Sequence, residues 1–328
     1  MALYSAEEIN TIISKMNRPA VILGNGLNEE SGYFKGGWNN LLLRFACELD
    51  SEIDKEGTGK QELELFAKRI LSDLENNSVT LTELYDWILL KFERICIKNK
   101  GFNNNKMHSS KDNINTKLIS IIKSESNMVS DYSVYDSFLR WCFKKKADIL
   151  TTNYDSILPS VPGLVCNGKY EYRGVDKKKK SDTKTFPVAH SYLLGDETNL
   201  WFINGFIDKT TSLRLSLRDY AQYTKKYGDY IYKSSEKTWI RQFIDRPLIF
   251  AGISLDSQET ILRTLLIERM RYYIGKKSFP SESFFIKWGG SKGMDDVKRE
   301  FLKDLGVSVL ELQFGEKLSD CFKSISTR

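Results

Sequence analysis

The chain has 328 residues, 41% of them hydrophobic and 28% charged, and its 49 Lys plus Arg against 43 Asp plus Glu leave a net charge of +6. This is the balance of a soluble globular protein with length enough for a buried core in one large domain or two ordinary ones. No signal peptide and no apolar run long enough to span a membrane is present, so a cytoplasmic protein without a membrane partner is expected.

In chain order, Ser5-Ala6-Glu7-Glu8 has the form of a capping box that opens a short helix ending near Asn17. After Pro19 comes a first strand, Ala20-Val21-Ile22-Leu23, and then Gly24-Asn25-Gly26-Leu27-Asn28. Two glycines and two asparagines after an apolar run suit a loop whose amides approach a phosphate closely. A plain strand-to-loop turn explains the same composition, and no third glycine completes the dinucleotide fingerprint.

From 38 to 146 the pattern is helical. Leu41, Leu42, Phe45 and Leu49 recur at helical spacing, as do Leu63, Phe66, Ile70 and Leu74, and then Leu84, Trp87, Ile88, Lys91 and Ile95. Such stripes are core faces, and the segment reads as a helical lobe inserted between strands. Within it, residues 99–115, rich in Asn, Lys and Ser, read as a surface loop carrying an exposed His108.

A second buried strand, Ile149-Leu150-Thr151, stops at Thr152-Asn153-Tyr154-Asp155. In an open α/β sheet ligands bind beyond the carboxyl ends of the strands, so Asn153 and Asp155 would face a crevice; an Asx turn that merely ends the strand is the alternative. Residues 159–187 read as an irregular excursion. Strands are expected at 200–203 and 213–216, helices at 218–227 and 238–244. A third crevice strand, Leu248-Ile249-Phe250-Ala251, runs into Gly252-Ile253-Ser254-Leu255-Asp256. A helix over 257–273, a strand at 284–288, a helix over 294–305 and a strand at 307–312 complete the alternation. The predicted fold is α/β, a doubly wound, mainly parallel Rossmann-like sheet in a single domain spanning 1–328, with the helical lobe inserted at 38–146.

The Gly-x-Gly turn, the Thr-Thr-Asn-Tyr-Asp element and the late Gly-x-Ser-x-Asp element, in this order and spacing, resemble the sirtuin-like domain of bacterial antiphage proteins. The resemblance covers roughly residues 15–315. It implies that these elements surround a bound NAD. Gly24, Asn25, Gly26 and Asn28 would line the pyrophosphate and nicotinamide side, with Thr151 and Asn153 at the second strand. Gly252, Ser254 and Asp256 would sit at the adenosine end. Asn153 would hold the nicotinamide ribose and position the attacking nucleophile, a role that suits an amide because it donates and accepts while staying uncharged. Asp155 is expected at the strand end, as a catalytic neighbour or as a tie for the loop through backbone amides.

The family completes its site with a histidine in a His-Gly pair; the matching positions here are Asn204-Gly205. Asn204 can hydrogen-bond a ribose hydroxyl but takes up no proton near neutral pH. His190 is the candidate substitute, a structural histidine the alternative. The resemblance implies an NAD hydrolase that acts as an antiphage effector by depleting NAD. The other reading is a weakly active or inactive NAD- or ADP-ribose-binding subunit of a larger defence assembly, as a homo-oligomer or with a partner such as a motor-type ATPase.

The five cysteines, Cys47, Cys96, Cys142, Cys166 and Cys321, are scattered, with no Cys-x-x-Cys pair. That argues for reduced thiols and against a zinc ribbon, so no metal is expected. The lysines at 144–146 and 177–180 are not interleaved with aromatics, so direct nucleic-acid binding is not expected.

Overall fold

Runs such as Ala20-Val21-Ile22-Leu23 have no polar face, and a strand built from them is stable only with both faces covered. The computed structural model describes residues 2–34, 37–54, 61–72, 79–98, 104–162, 190–194, 198–208, 212–217, 219–220, 231, 239–256, 259–288 and 294–323. In it, β2 (Ala20–Leu23), β3 (Asp148–Thr151) and β6 (Leu248–Ala251) are buried at every position. Alternate residues face two separate cores: Val21, Leu23, Ile149 and Ile249 point to one, Ala20, Ile22, Leu150 and Phe250 to the other. That two-sided burial is what makes the fold doubly wound.

The remaining strands are β1 (Leu3–Tyr4), β4 (His190–Leu194), β5 (Thr198–Phe202), β7 (Ser283–Lys287) and β8 (Val307–Leu312). Their order across the sheet is β1-β8-β7-β6-β2-β3-β5-β4, and every neighbour pair is parallel except β4 with β5. From β2 the chain winds outward through β3 to β5, then returns to the opposite side of β2 and winds out again through β6, β7 and β8. The direction of winding therefore reverses between β2 and β6, and that switch point is where a crevice opens in folds of this kind.

Helix α1 (Ala6–Ile13) opens on the expected capping box: the Ser5 amide donates to Glu8 Oε2 at 2.8 Å and the Glu8 amide to Ser5 Oγ at 3.3 Å. Between β2 and β3 lie α2 (Gly26–Glu30), α3 (Gly37–Asp54), α4 (Glu62–Ser72), α5 (Leu81–Lys98), α6 (Asn104–Asn127) and α7 (Ser133–Lys145). Leu42, Phe45 and Leu49 of α3 are fully buried in the same core as Val21 and Leu23. On α5 the buried stripe is Leu84, Ile88, Phe92 and Cys96, at strict i+4 spacing, whereas Trp87 stays 44% exposed beside Phe66. Against the opposite face lie residues of α8 (Trp239–Asp245), α9 (Thr260–Gly275) and α10 (Asp296–Asp304).

Several expectations change. Residues 104–115, read as loop, belong to α6, because the buried Ile114, Leu118, Ile121 and Ile122 give that helix a core face from which its polar N-terminal turns extend. His108 is accordingly on a helix. The segment 213–216 is no strand: Arg214 N donates to Asn204 O at 2.9 Å, and the run folds beside the turn after β5. The edge strands β1 and β4 were not anticipated. The lysines at 144–146 close α7, two in its last turn and Lys146 in the left-handed cap, where cations favour the helix dipole. Most of the helix expected at 218–227, the lysines at 177–180, Leu74 and Cys166 lie outside the described residues. Cys47, Cys96, Cys142 and Cys321 are free thiols. Among the described residues no helix is long and apolar enough to cross a membrane, and no cluster of His, Cys, Asp and Glu is arranged to hold a metal ion.

Candidate functional site

Beyond the carboxyl ends of β2, β3 and β6 lies a cleft of about 930 Å³, the size of a small-molecule or cofactor site. Its floor is the junction of the loops that follow β2 and β6. Gly24 N donates to Ala251 O at 3.0 Å and Gly26 N to Gly252 O at 2.9 Å. A Cβ on Gly24 would lie 2.4 Å from Gly252 O, and one on Gly26 2.4 Å from Gly252 Cα. The glycines are thus required because two backbones touch across the switch point. The Gly24 and Gly26 amides are committed to that contact; what the junction offers is a floor free of side chains.

Asn153 stands beside this floor. Thr151 is buried, and its hydroxyl accepts from Asn153 N at 3.1 Å while donating to Leu23 O at 3.2 Å, which fixes the turn after β3. Asn153 Nδ2 donates to Gly24 O at 3.1 Å. A carbonyl only accepts, so the nitrogen must face Gly24 and the amide oxygen must face away. Among the described residues Asn153 Oδ1 makes no hydrogen bond. Asn204 repeats the arrangement after β5: its Nδ2 donates to Thr152 O at 3.2 Å, which leaves its Oδ1 as an acceptor. Both asparagines line the cleft.

Asp155 serves the loop. It is 6% exposed and accepts from Ile157 N at 3.0 Å and from Asn28 Nδ2 at 3.1 Å; burial raises its carboxyl above the ordinary range. Asn28 is itself buried, accepts from the Tyr135 hydroxyl at 3.0 Å and donates to Asn25 Oδ1 at 3.1 Å. Asn25 in turn donates to Phe34 O at 3.0 Å, holding Phe34 at a φ of 48°, a conformation that a bulky residue keeps only when neighbours impose it. Of the predicted residues, Gly24, Asn25, Gly26, Asn153, Asp155, Asn204, Gly252, Ser254 and Asp256 line this one cleft, whereas Asn28 and Thr151 lie beneath it as supports. His190 starts β4, opposite Phe202 in the strand register.

Other lining residues carry no local signal in the sequence. Trp38 and Leu41 of α3, Leu81 of α5 and Ile122 of α6 give the cleft an apolar wall from the helical segment, with Trp38 packed edge-on against Tyr154 at 5.3 Å. Lys298 of α10 reaches the cleft and pairs with Asp256 Oδ1 at 2.7 Å. Glu259, just before α9, has its carboxyl pushed up to about 7, first by burial and then by the Asp256 charge. Wall and charges come from helices far apart in the chain, and no local motif announces them.

The fold and the cleft define the class: a Rossmann-like α/β protein whose switch-point crevice is lined by the loops after β2, β3, β5 and β6. No protein-family model matches the chain, and no curated protein matches it.

Proposed function

We propose that the cleft binds NAD and that the chain hydrolyses it to nicotinamide and ADP-ribose, depleting the cofactor as a sirtuin-like defence effector. The observation that carries this reading is the pair of asparagines whose amide oxygens are turned free by backbone carbonyls beside a side-chain-free floor at the switch point. A dinucleotide laid across that floor has its pyrophosphate over the glycine junction and one ribose beside Asn153.

The bond broken is that between the nicotinamide nitrogen and C1 of the ribose. Its electron pair leaves with nicotinamide, positive charge develops on the sugar, and water supplies the new C–O bond and releases a proton. Oriented acceptors stabilise such charge without having to reorganise. Asn153 Oδ1 and Asn204 Oδ1 are acceptors of this kind, suited to ribose hydroxyls and to the attacking water. Trp38 and the apolar wall limit bulk water around the reacting sugar. Neither asparagine accepts the proton, so turnover is slow, about 10²- to 10⁴-fold below that of an enzyme with a general base.

The test is release of nicotinamide and ADP-ribose from NAD by the purified protein, followed by mass spectrometry. Asn153→Ala is expected to lower the rate by about 10²-fold or more while leaving the melting temperature near that of the parent. Unchanged turnover in the variant would overturn the assignment. The Asn204 amide in place of a titratable group favours a second reading, a binding subunit; ADP-ribose binding with no product under any condition would select it.

A further inference from the structure

The loop after β6 is built with unusual firmness. Gly252 has a φ of 61° and Leu255 a φ of 52°, the latter a strained conformation for a branched residue. Leu255 keeps it because its side chain is buried at 1% exposure, as Ile253 is at 8%. With Ile253 and Leu255 anchored in the core, the intervening Ser254 and the following Asp256 are exposed and line the cleft.

Lys298 holds this loop from beneath. Its ammonium donates to Ser254 O and, at 2.7 Å, to Asp256 Oδ1, and it lies 5.5 Å from the centre of the Phe285 ring. The cation is 19% exposed and the carboxylate 55%. The positive charge is therefore covered and engaged, and the negative charge stands above it in the cleft. Asp256 Oδ2 makes no hydrogen bond among the described residues, so the carboxylate presents an oriented acceptor to whatever lies there.

We infer that Asp256, positioned by Lys298, reads the 2′- and 3′-hydroxyls of the ribose farther from Asn153 and excludes a dinucleotide that carries a 2′-phosphate on that sugar. The inference rests on the reading of the cleft as a dinucleotide site. Asn153 and Asp256 follow strands on opposite sides of β2, so a ligand centred on the glycine junction has one sugar near each. A vicinal diol offers two hydroxyl donors, which a fixed carboxylate accepts. A 2′-phosphate offers only acceptors and negative charge. It would meet the Asp256 carboxylate, an acceptor of the same sign with no proton to share. Lys298 is taken up by Asp256 and Ser254, and Lys287 at the end of β7, the other cation lining the cleft among the described residues, has a contact of its own.

Calorimetric titration of the full chain with ADP-ribose and with 2′-phospho-ADP-ribose tests this. The parent is expected to bind ADP-ribose at least about tenfold more tightly than the phosphorylated form. Asp256→Asn, a change at an exposed position, is expected to weaken ADP-ribose and bring the two affinities within about threefold. Lys298→Met is expected to weaken ADP-ribose and Lys298→Arg to restore it, a rescue that loss of packing alone does not produce. Equal binding of the two ligands by the parent, or a ratio that Asp256→Asn leaves unchanged, overturns the selector while leaving a dinucleotide site intact. Failure of the folded parent to bind either ligand overturns the dinucleotide reading itself, and the selector with it.

Discussion

Under the proposed function Asn204 takes the place that the resemblance gives to a histidine, and its amide nitrogen is bonded to Thr152 O. An imidazole N–H there has the same carbonyl to bond, and its second nitrogen would replace the free amide oxygen with a group that takes up protons near pH 6.5. Asn204→His is therefore expected to raise NAD turnover by about tenfold or more and to introduce a rise in rate with pH through the imidazole range. A pH–rate profile no faster and no different in shape from the parent's would count against this placement of Asn204. Glu259 gives a second prediction. Its carboxyl, pushed up to about 7 in the folded protein, holds a proton that the unfolded chain releases nearer its ordinary value of about 4.3. Stability from this group is therefore complete below the unfolded value and is lost as pH rises through about 7. Glu259→Gln should remove that loss, so the variant gains on the parent by about 1–2 kcal/mol between pH 5 and pH 8. Denaturant titration at the two pH values measures it, and parallel curves would contradict it.

At the scale of elements, the loops after β2 and β6 act as one structure. Gly26→Ala sets a Cβ 2.4 Å from Gly252 Cα, a backbone contact that no rotamer change relieves. A loss of about 2–3 kcal/mol is expected, together with weaker ADP-ribose binding; an unchanged unfolding midpoint would show that the junction opens freely. In the helical segment, Asp50 of α3 caps α4 from outside, accepting from Leu63 N at 3.0 Å and Glu64 N at 2.7 Å. Asp50→Ala should cost about 1–2 kcal/mol by chemical denaturation. The strands that carry the site were legible because β2, β3 and β6 are buried on both faces and so read as unbroken apolar runs that end in polar loops. β1 is two residues long and α6 begins in a polar stretch, so neither has a local pattern to read. Lys298 was invisible for another reason: it meets Asp256 across 42 positions, a pairing that only the packing of α10 beside β7 creates. The Gly-x-Gly turn was found, but its physical purpose, contact between backbones, required the partner loop to be seen.

For the molecule as a whole, the order β5-β3-β2-β6-β7-β8 brings loops from both windings to one edge. Asn153 and Asn204 come from the first winding and Asp256 from the second, with the glycine junction between them and the α3–α6 wall beside it. A ligand that engages both sides must be long and must carry hydrogen-bonding groups at two separated places, which a dinucleotide does. The most direct measurement is a crystal structure of the parent protein soaked with ADP-ribose. Density is expected across the switch point, with the pyrophosphate over Gly24, Gly26 and Gly252, one ribose against Asn153 Oδ1 and the other against Asp256. An empty cleft at saturating ligand, or ADP-ribose bound away from the loops after β2, β3 and β6, would contradict it.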